Sequence, residues 1–411
     1  MDRARQAKGS DVLTATTRHG QRVLRASQYV GTLRLGPDTF TILPKIDFGD
    51  NTAQSATRNL LTMLEQAGYL PAHYQDLSPM LRHGGDWFEL LTRIFATELL
   101  DQWLRGPHRR YQRVEEELPT IRGQWQLGRQ LRQPTRAHRF DVVYDEFTTD
   151  NRLSQVLRYV VEQLWLRTRD GGNRRLLGEL RGAMESVTLA THLTPADVPP
   201  GLIDRLSERY APLLNLARLF LDSGSLELTR GDVHSFAFVF NMNQLFEAFL
   251  VAFIRRHRAT ILSDALRDCA LEPQSKGSAR HLALTEAGRP SFLLKPDLAL
   301  RQGDSFPLLL DAKYKRLTDQ ERQMGVSTGD FYQMFAYAQR YRAPHVVVIY
   351  PKMYETHRLR FTLVNHAATI SVATINLHRD LRRPQELRAL ARELNEILAL
   401  EVSNGANIEL A

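Results

Sequence analysis

Cysteine is almost missing from this 411-residue sequence. Cys269 stands alone, which excludes an internal disulfide framework and any zinc site built on several thiolates. Lysine is nearly as scarce: seven of the 54 basic residues are Lys and the other 47 are Arg. Codon bias in a GC-rich genome is the plain cause of that imbalance. It makes each surviving lysine informative, and three of the seven fall between positions 295 and 315. Long apolar runs are absent too. The longest, at 248–254 and 346–350, fall far short of the ~18 residues that span a bilayer. The first ten residues are polar and offer no apolar core for a signal peptide. These absences lead us to expect a soluble cytoplasmic protein with no membrane partner. No internal repeat, low-complexity tract or heptad array is visible. Neither H-E-x-x-H nor G-x-x-x-x-G-K-[ST] occurs, and there is no Gly-Lys dipeptide, so any nucleotide motor that serves this protein must be another chain.

What is present is ordinary for a globular chain, with 43% hydrophobic and 24% charged residues, which excludes wholesale disorder, collagen and coiled coil. At ~150 residues per domain the length suits two or three domains. The net charge of +8 permits nucleic-acid binding without establishing it. Strands are expected over 28–35 and 39–45, with Gly36-Pro37-Asp38 as the turn. Helices are expected over 53–67 and 86–105. In the second, Phe88, Leu91, Phe95, Leu99 and Trp103 recur at helical spacing and read as core. Residues 101–140 carry nine Arg against four acids, with Trp103, Tyr111 and Trp125 interspersed. That segment suits a nucleic-acid or partner surface, and equally a plain solvated face. A helix follows over 151–167, more helices lie within 176–221, and the polar stretch 223–232 reads as a boundary. Beyond it come a helix (241–258), strands (291–300 and 306–314), a helix (329–342), a buried strand (345–350), strands near Phe361 and Ile370, and a closing helix (384–400). The expected fold class is therefore α/β in the C-terminal part. The expected domains are 1–150 (mixed α+β), 151–235 (helical connection) and 236–411.

The chemistry concentrates in 294–315. Two apolar strand segments flank a polar, glycine-bearing turn, and each carries one carboxylate, Asp297 and Asp311. Side chains two apart on a strand share a face, so Asp311 and Lys313 project together and Asp297 on the neighbouring strand reaches them. A half-buried carboxylate pair is costly unless a cation compensates it. Mg²⁺ suits the pair, because it takes one or two carboxylates and keeps several waters. A charged hairpin with its Asp and Lys at wet ends is the plainer alternative. In the next helix Gln333 and Tyr337 stand four apart and share a face, either lining the cleft or forming a polar flank. Glu247, on the edge of the apolar stripe of 241–258, is a further carboxylate for the ion or a solvated residue. A G-x-S-x-G match at 325–329 follows the polar stretch 318–323 rather than a buried strand, so it reads as chance and not as a nucleophile elbow.

Asp297, then Asp311-Ala312-Lys313, then Gln333 and Tyr337, resembles the PD-(D/E)xK nuclease core in its RecB-like form. The segments 29–36, 40–46, 144–152 and 241–249 are similar to the McrC family, the nuclease subunit of the McrBC modification-dependent restriction system. That resemblance implies a restriction-endonuclease-like domain over 236–411 that cuts double-stranded, modified (5-methylcytosine) DNA. Asp297 and Asp311 would be its metal ligands with Glu247 as a further one, the metal being Mg²⁺ or Mn²⁺. Lys313 would act on the water or the transition state, supported by Gln333 and Tyr337. The resemblance further implies a partner AAA+ GTPase, McrB, whose ring recognises modified DNA and translocates it. GTP would enter only through that partner, and the N-terminal part would dock on the ring and stimulate it. The alternative is a RecB-like nuclease working with a different helicase or ATPase in repair or phage defence.

The scarcity of lysine generates a prediction. Lys313→Arg keeps the charge but replaces a compact, rotatable ammonium with a planar fork. Single-turnover DNA cleavage at saturating Mg²⁺ and protein is expected to fall by about tenfold or more, which is only ~1.4 kcal/mol of misplacement. A variant that cuts within about twofold of the parent would make Lys313 a generic positive charge.

Overall fold

The computed structural model describes residues 13–18, 21–26, 28–44, 53–70, 86–132, 138–223, 228–230, 233–274, 279–315, 317, 325–352, 356–364 and 367–405. Chain contacts divide it into two compact units, one drawn from Met1–Asp86 with Leu226–Ala411 and the other from Trp87–Ser225.

The first unit is built on a six-stranded mixed sheet. Its elements run α1 (Met242–Arg256), β1 (Ala270–Pro273), β2 (Leu298–Gln302), β3 (Ser305–Ala312), α2 (Thr328–Tyr341), β4 (His345–Pro351), β5 (Arg358–Thr362), β6 (Thr369–Ile375) and α3 (Pro384–Gly405). The strand order is β1-β2-β3-β4-β6-β5. β3, β4 and β6 are parallel, while β2 and β5 join antiparallel to β3 and β6. Every residue of β4, His-Val-Val-Val-Ile-Tyr-Pro, is buried, as a parallel strand covered on both faces requires. On one face Met334, Tyr337, Ala338 and Tyr341 of α2 form a core with Leu309, Val346, Val348, Ile370 and Val372. α1 and α3 also pack against the sheet. α1 starts where the Asn241 side chain accepts a bond from Asn243 N, and it buries Met242, Leu245, Phe246, Phe249, Leu250 and Phe253 at the expected helical spacing.

One expected strand is two. Residues 291–300 split into Pro290–Leu294, which pairs with Arg280–Leu284 as a separate hairpin, and β2. Pro296 lies in the break, where its missing N–H cannot continue a ladder. Asp297 is therefore just outside β2 and not within a strand.

A second sheet of the same unit has the order Asp38–Ile42, Tyr29–Leu35, Val233–Asn241, Leu228–Arg230. Tyr29 pairs with Asn241 and Leu35 with Ser235, so a strand near the start of the chain closes on one that leads directly into α1. The compact units are thus bounded differently from the sequence partition at 150 and 235, because that pairing draws the opening hairpin into the C-terminal unit. The hairpin strands fall as expected, except that the second ends at Ile42 and Lys45 lies outside the described residues. Helix Ala53–Gln66 joins this unit as well, with Asn59 Nδ2 donating to Leu377 O at 2.9 Å and Gln66 Oε1 accepting from Arg256 at 2.7 Å.

The second unit contains helices Trp87–Arg105, Arg152–Arg167, Gly171–Ala183 and Ala211–Ser223 and a three-stranded sheet of Arg110–Leu118, Phe140–Thr148 and Gln124–Trp125. All five periodic apolar residues from Phe88 to Trp103 are buried. Glu89 is buried among them. Its carboxylate accepts from Thr168 Oγ1 (2.6 Å), Arg169 N (2.7 Å) and Asn173 Nδ2 (2.8 Å), which offsets the cost of burying the charge.

Gly31 marks the tightest approach in the four-stranded sheet. Its φ is +147°, and a Cβ placed there would lie 2.0 Å from the carbonyl oxygen of Phe238 on the paired strand. Gly31→Ala is expected to destabilise this unit by roughly 2–3 kcal/mol, combining backbone strain with forced strand separation. Urea unfolding checks this, and an unchanged midpoint would sink it.

Candidate active site

The parallel strands β3 and β4 end side by side, with Asp311 opposite Val348 and Ala312 opposite Ile349. Lys313 N donates to Ile349 O at 2.9 Å, so the chain stays extended one residue past β3. That extension puts Asp311 and Lys313 on one face, and Lys313 Nζ lies 2.8 Å from Asp311 Oδ2. The Asp311 side chain is only 2% exposed and the Lys313 side chain 19%, so the pair is sheltered but open on the lysine side. Asp297 sits one residue beyond the Leu298–Leu310 pair, level with Asp311 on the neighbouring strand. Its Oδ2 accepts the Ala312 amide at 2.7 Å. The three residues meet as the sequence requires, although the turn after Pro296 delivers Asp297 rather than strand alternation.

Burial, with Asp311 and Glu247 nearby, pushes the Asp297 carboxyl up to about 8. Burial also raises Asp311, against the pull of the adjacent Lys313 charge. Burial pulls Lys313 down, yet Asp311, together with Asp297 and Asp330, outweighs that and holds its ammonium above the ordinary value. Two carboxylates thus share one ammonium, leaving the cluster short of positive charge. That shortage, and oxygen donors on adjacent strands, fit a divalent cation of the Mg²⁺ type.

Behind the lysine runs a chain of hydrogen bonds from α2. Lys313 Nζ donates to Gln333 Oε1 (3.0 Å), Gln333 Nε2 to Tyr337 Oη (2.9 Å), and Tyr337 Oη to Lys295 O (2.9 Å). Both predicted α2 residues therefore engage the site. Gln333 holds the lysine and Tyr337 pins the backbone that precedes Asp297. Burial, followed by Asp311 and Asp297, raises the Tyr337 phenol and keeps it a neutral donor. Glu247 is less engaged: it accepts from Gln274 Nε2 at 2.7 Å. Among the described residues no three His, Cys, Asp or Glu side chains form a ready-made metal-holding group.

Sequence reasoning missed Asp330 and Lys315, which form an ion pair at 2.7 Å beside the site. The signal was there in two periodicities: Lys315 continues the alternation of Asp311 and Lys313, and Asp330 precedes Gln333 and Tyr337 by three and seven. Gln274, with φ +49°, carried no such signal. Ser327 of the G-x-S-x-G match caps α2 by accepting Asp330 N at 3.1 Å, which accounts for it structurally. In the second unit, Trp103 of the Arg-rich segment is core, while Tyr111 and Trp125 are exposed. Several of its arginines pair with local acids, among them Arg110 with Asp204 and Arg129 with Glu115.

Residues 24–351 match the family described as McrBC 5-methylcytosine restriction system component. The chain belongs to that family. No curated protein matches this McrBC component. Among solved structures, it is similar to a chain of the refined half-complex from the tetradecameric assembly of Thermococcus gammatolerans McrB AAA+ hexamers with bound McrC. The identity is 24% over 95% of this chain and 86% of that one, with a TM-score of 0.59, a likeness of fold. A chain of the McrBC complex from the same organism matches at 29% identity over 58% of this chain and 68% of that one, with a TM-score of 0.46. Among the described residues of this McrBC component no helix is long and apolar enough to cross a membrane.

The raised Asp297 pKa fixes the sign of a pH effect. Between 3.8 and about 8 the native carboxyl holds a proton that the unfolded chain has released. Without divalent cations, stability should therefore fall as pH rises through that window, with a slope of up to ~1.4 kcal/mol per pH unit. Thermal melts in chelator from pH 5 to 8 are expected to show the fall, and Asp297→Asn to flatten it. Parallel curves for the two proteins would refute it.

Proposed function

We propose that this McrBC component is the McrC-type nuclease subunit, a Mg²⁺-dependent DNA endonuclease acting on modified double-stranded DNA. The observation that carries this is the meeting of Asp297, Asp311 and Lys313 at the ends of adjacent strands, with Lys313 held by both Asp311 and Gln333. In this reading the six-stranded sheet and its helices are a PD-(D/E)xK restriction-endonuclease-like domain. Asp297 and Asp311 would hold the ion, with Glu247 adding a carboxylate through the oxygen that does not accept from Gln274. When bound, Mg²⁺ neutralises the carboxylates and polarises the phosphodiester. Mn²⁺ offers the same charge to the same oxygen donors.

The chain's own groups do the rest. Lys313, oriented by Gln333, donates to the attacking water or to the phosphoryl oxygen where negative charge grows. Tyr337 keeps Gln333 and the Lys295 carbonyl in place, so the ammonium is preorganised before DNA arrives. The absence of a phosphate loop supports a division of labour in which GTP is hydrolysed by a separate AAA+ ring. The N-terminal part would dock on that ring and stimulate it. A cut at residue 235 would divide the strand Val233–Asn241, so this role is tested in the full chain.

Asp311→Ala in the full chain should lower single-turnover DNA cleavage by a factor of about a hundred or more, or ~2.7 kcal/mol and upward. It should leave thermal stability in chelator equal or higher, since one of two clustered anions is removed. Cleavage within about twofold of the parent would overturn the assignment, and a much lower melting temperature without metal would make Asp311 structural.

A further inference from the structure

The carboxyl ends of β3, β4 and β6 form one edge of the sheet. Asp311 and Lys313 stand at the first, Lys352 follows the second, and the segment 376–383 leaves the third for α3. Lys352 N donates to Ile375 O at 2.7 Å and Lys352 O accepts from His378 Nε2 at 2.7 Å, so the ends of β4 and β6 are tied together. Beside them lies a cavity of about 640 Å³ whose lining includes four arginines, Arg58, Arg379, Arg382 and Arg383, and two acids, Asp380 and Glu386.

These cations are not equivalent. Arg382 forks onto Asp380 with two bonds of 2.8 Å, and Arg379 is held by Glu393 at 2.8 Å. Arg383 stands 3.4 Å from the already engaged Asp380 and is 73% exposed. Arg58, half-buried on helix Ala53–Gln66, has no ion-pair or hydrogen-bond partner for its guanidinium among the described residues. The Arg382 bond, and the charges of Arg382 and Arg383, hold the Asp380 carboxyl below its usual range. Arg379 and Arg382 thus shape the wall, while Arg58 and Arg383 bring positive charge that no carboxylate fully answers.

A concave site with excess guanidinium charge concentrates anions, and the planar fork of Arg matches phosphate oxygens. Ligands of open α/β sheets bind beyond the carboxyl ends of the strands, which is where this cavity lies. At ~4.8 Å per strand, the end of β6 is about 10 Å from the end of β3, close enough for one DNA backbone to pass both. The geometry points to a second phosphodiester subsite, in which Arg58 and Arg383 hold a backbone phosphate near the one cut. This inference rests on the nuclease reading above and adds to it where the DNA strand runs.

Fluorescence anisotropy with labelled double-stranded DNA in chelator, on the full chain, tests it with Arg58→Gln, Arg383→Gln and the double variant. Each single change should weaken binding several-fold and reduce the slope of log K against log salt by about 1, and the double change by about 2. Cleavage at subsaturating protein should fall in step with the loss of affinity. Arg383 is exposed enough that its variant tests the site even if Arg58→Gln perturbs the fold. A folded double variant with the parent's affinity and salt slope overturns the subsite. So does a double variant that loses inorganic pyrophosphate binding but keeps DNA binding, which would make the cavity a small-anion site. A parent chain that binds DNA without cutting it overturns the nuclease reading alone, the slopes still deciding the subsite, and one that binds no DNA overturns both.

Discussion

Two carboxylates buried at the end of a sheet beside a single ammonium are the constraint on which the rest of the candidate site depends. Burial raises the proton affinity of both Asp297 and Asp311, Asp311 raises that of Asp297 further, and Lys313 offsets only part of this. Such a cluster persists only where the surrounding fold over-determines it. Here the support is specific. The Ala312 amide serves Asp297, the parallel bond from Lys313 N to Ile349 O fixes the lysine's face, and Gln333 and Tyr337 hold its ammonium from α2. The stability given up at the cluster is offset by the packed sheet beneath it, where β4 buries both faces.

The four-stranded sheet explains why residues 29–42 belong with the C-terminal part. Val233–Asn241 pairs with Tyr29–Leu35 and then becomes α1, the helix that covers the six-stranded sheet and carries Glu247. Gly31 permits that pairing because any side chain there would meet the Phe238 carbonyl. The intervening residues, Trp87–Ser225, form their own unit, whose buried Glu89 is satisfied by three donors from residues 168–173. An insertion of this kind is tolerated when it leaves and re-enters at the surface of a complete core.

Membership of the McrBC component family and the lack of a standard phosphate loop both support the proposed division of labour. The chain lacks the standard phosphate loop, and its sheltered Asp-Asp-Lys cluster carries groups of the kind that phosphodiester chemistry uses. The Arg-rich segment 101–140 illustrates how charge counts mislead: much of its positive charge is answered locally, as by Asp204 and Glu115. The cavity of Arg58 and Arg383, spread over positions 325 residues apart, stayed hidden from any window along the chain.

The sequence by itself determined most of the elements and which side chains make up the candidate site. Periodicity placed α1, α2 and β4, and spacing singled out Asp297, Asp311, Lys313, Gln333 and Tyr337, because alternation on a strand and the four-residue repeat of a helix are local rules. The PD-(D/E)xK resemblance was legible for the same reason. Only the tertiary structure decided what depends on contacts between distant segments. It set Asp297 outside its strand, since Pro296 forbids the ladder that apolar patterning suggested. It joined residues 29–42 to the C-terminal unit through pairing with residues 233–241, and it gathered four arginines from a helix and a connecting loop around one cavity. Strand pairing and charge convergence are set by backbone hydrogen bonds and packing across hundreds of residues, and a local pattern carries no record of which partner it will meet.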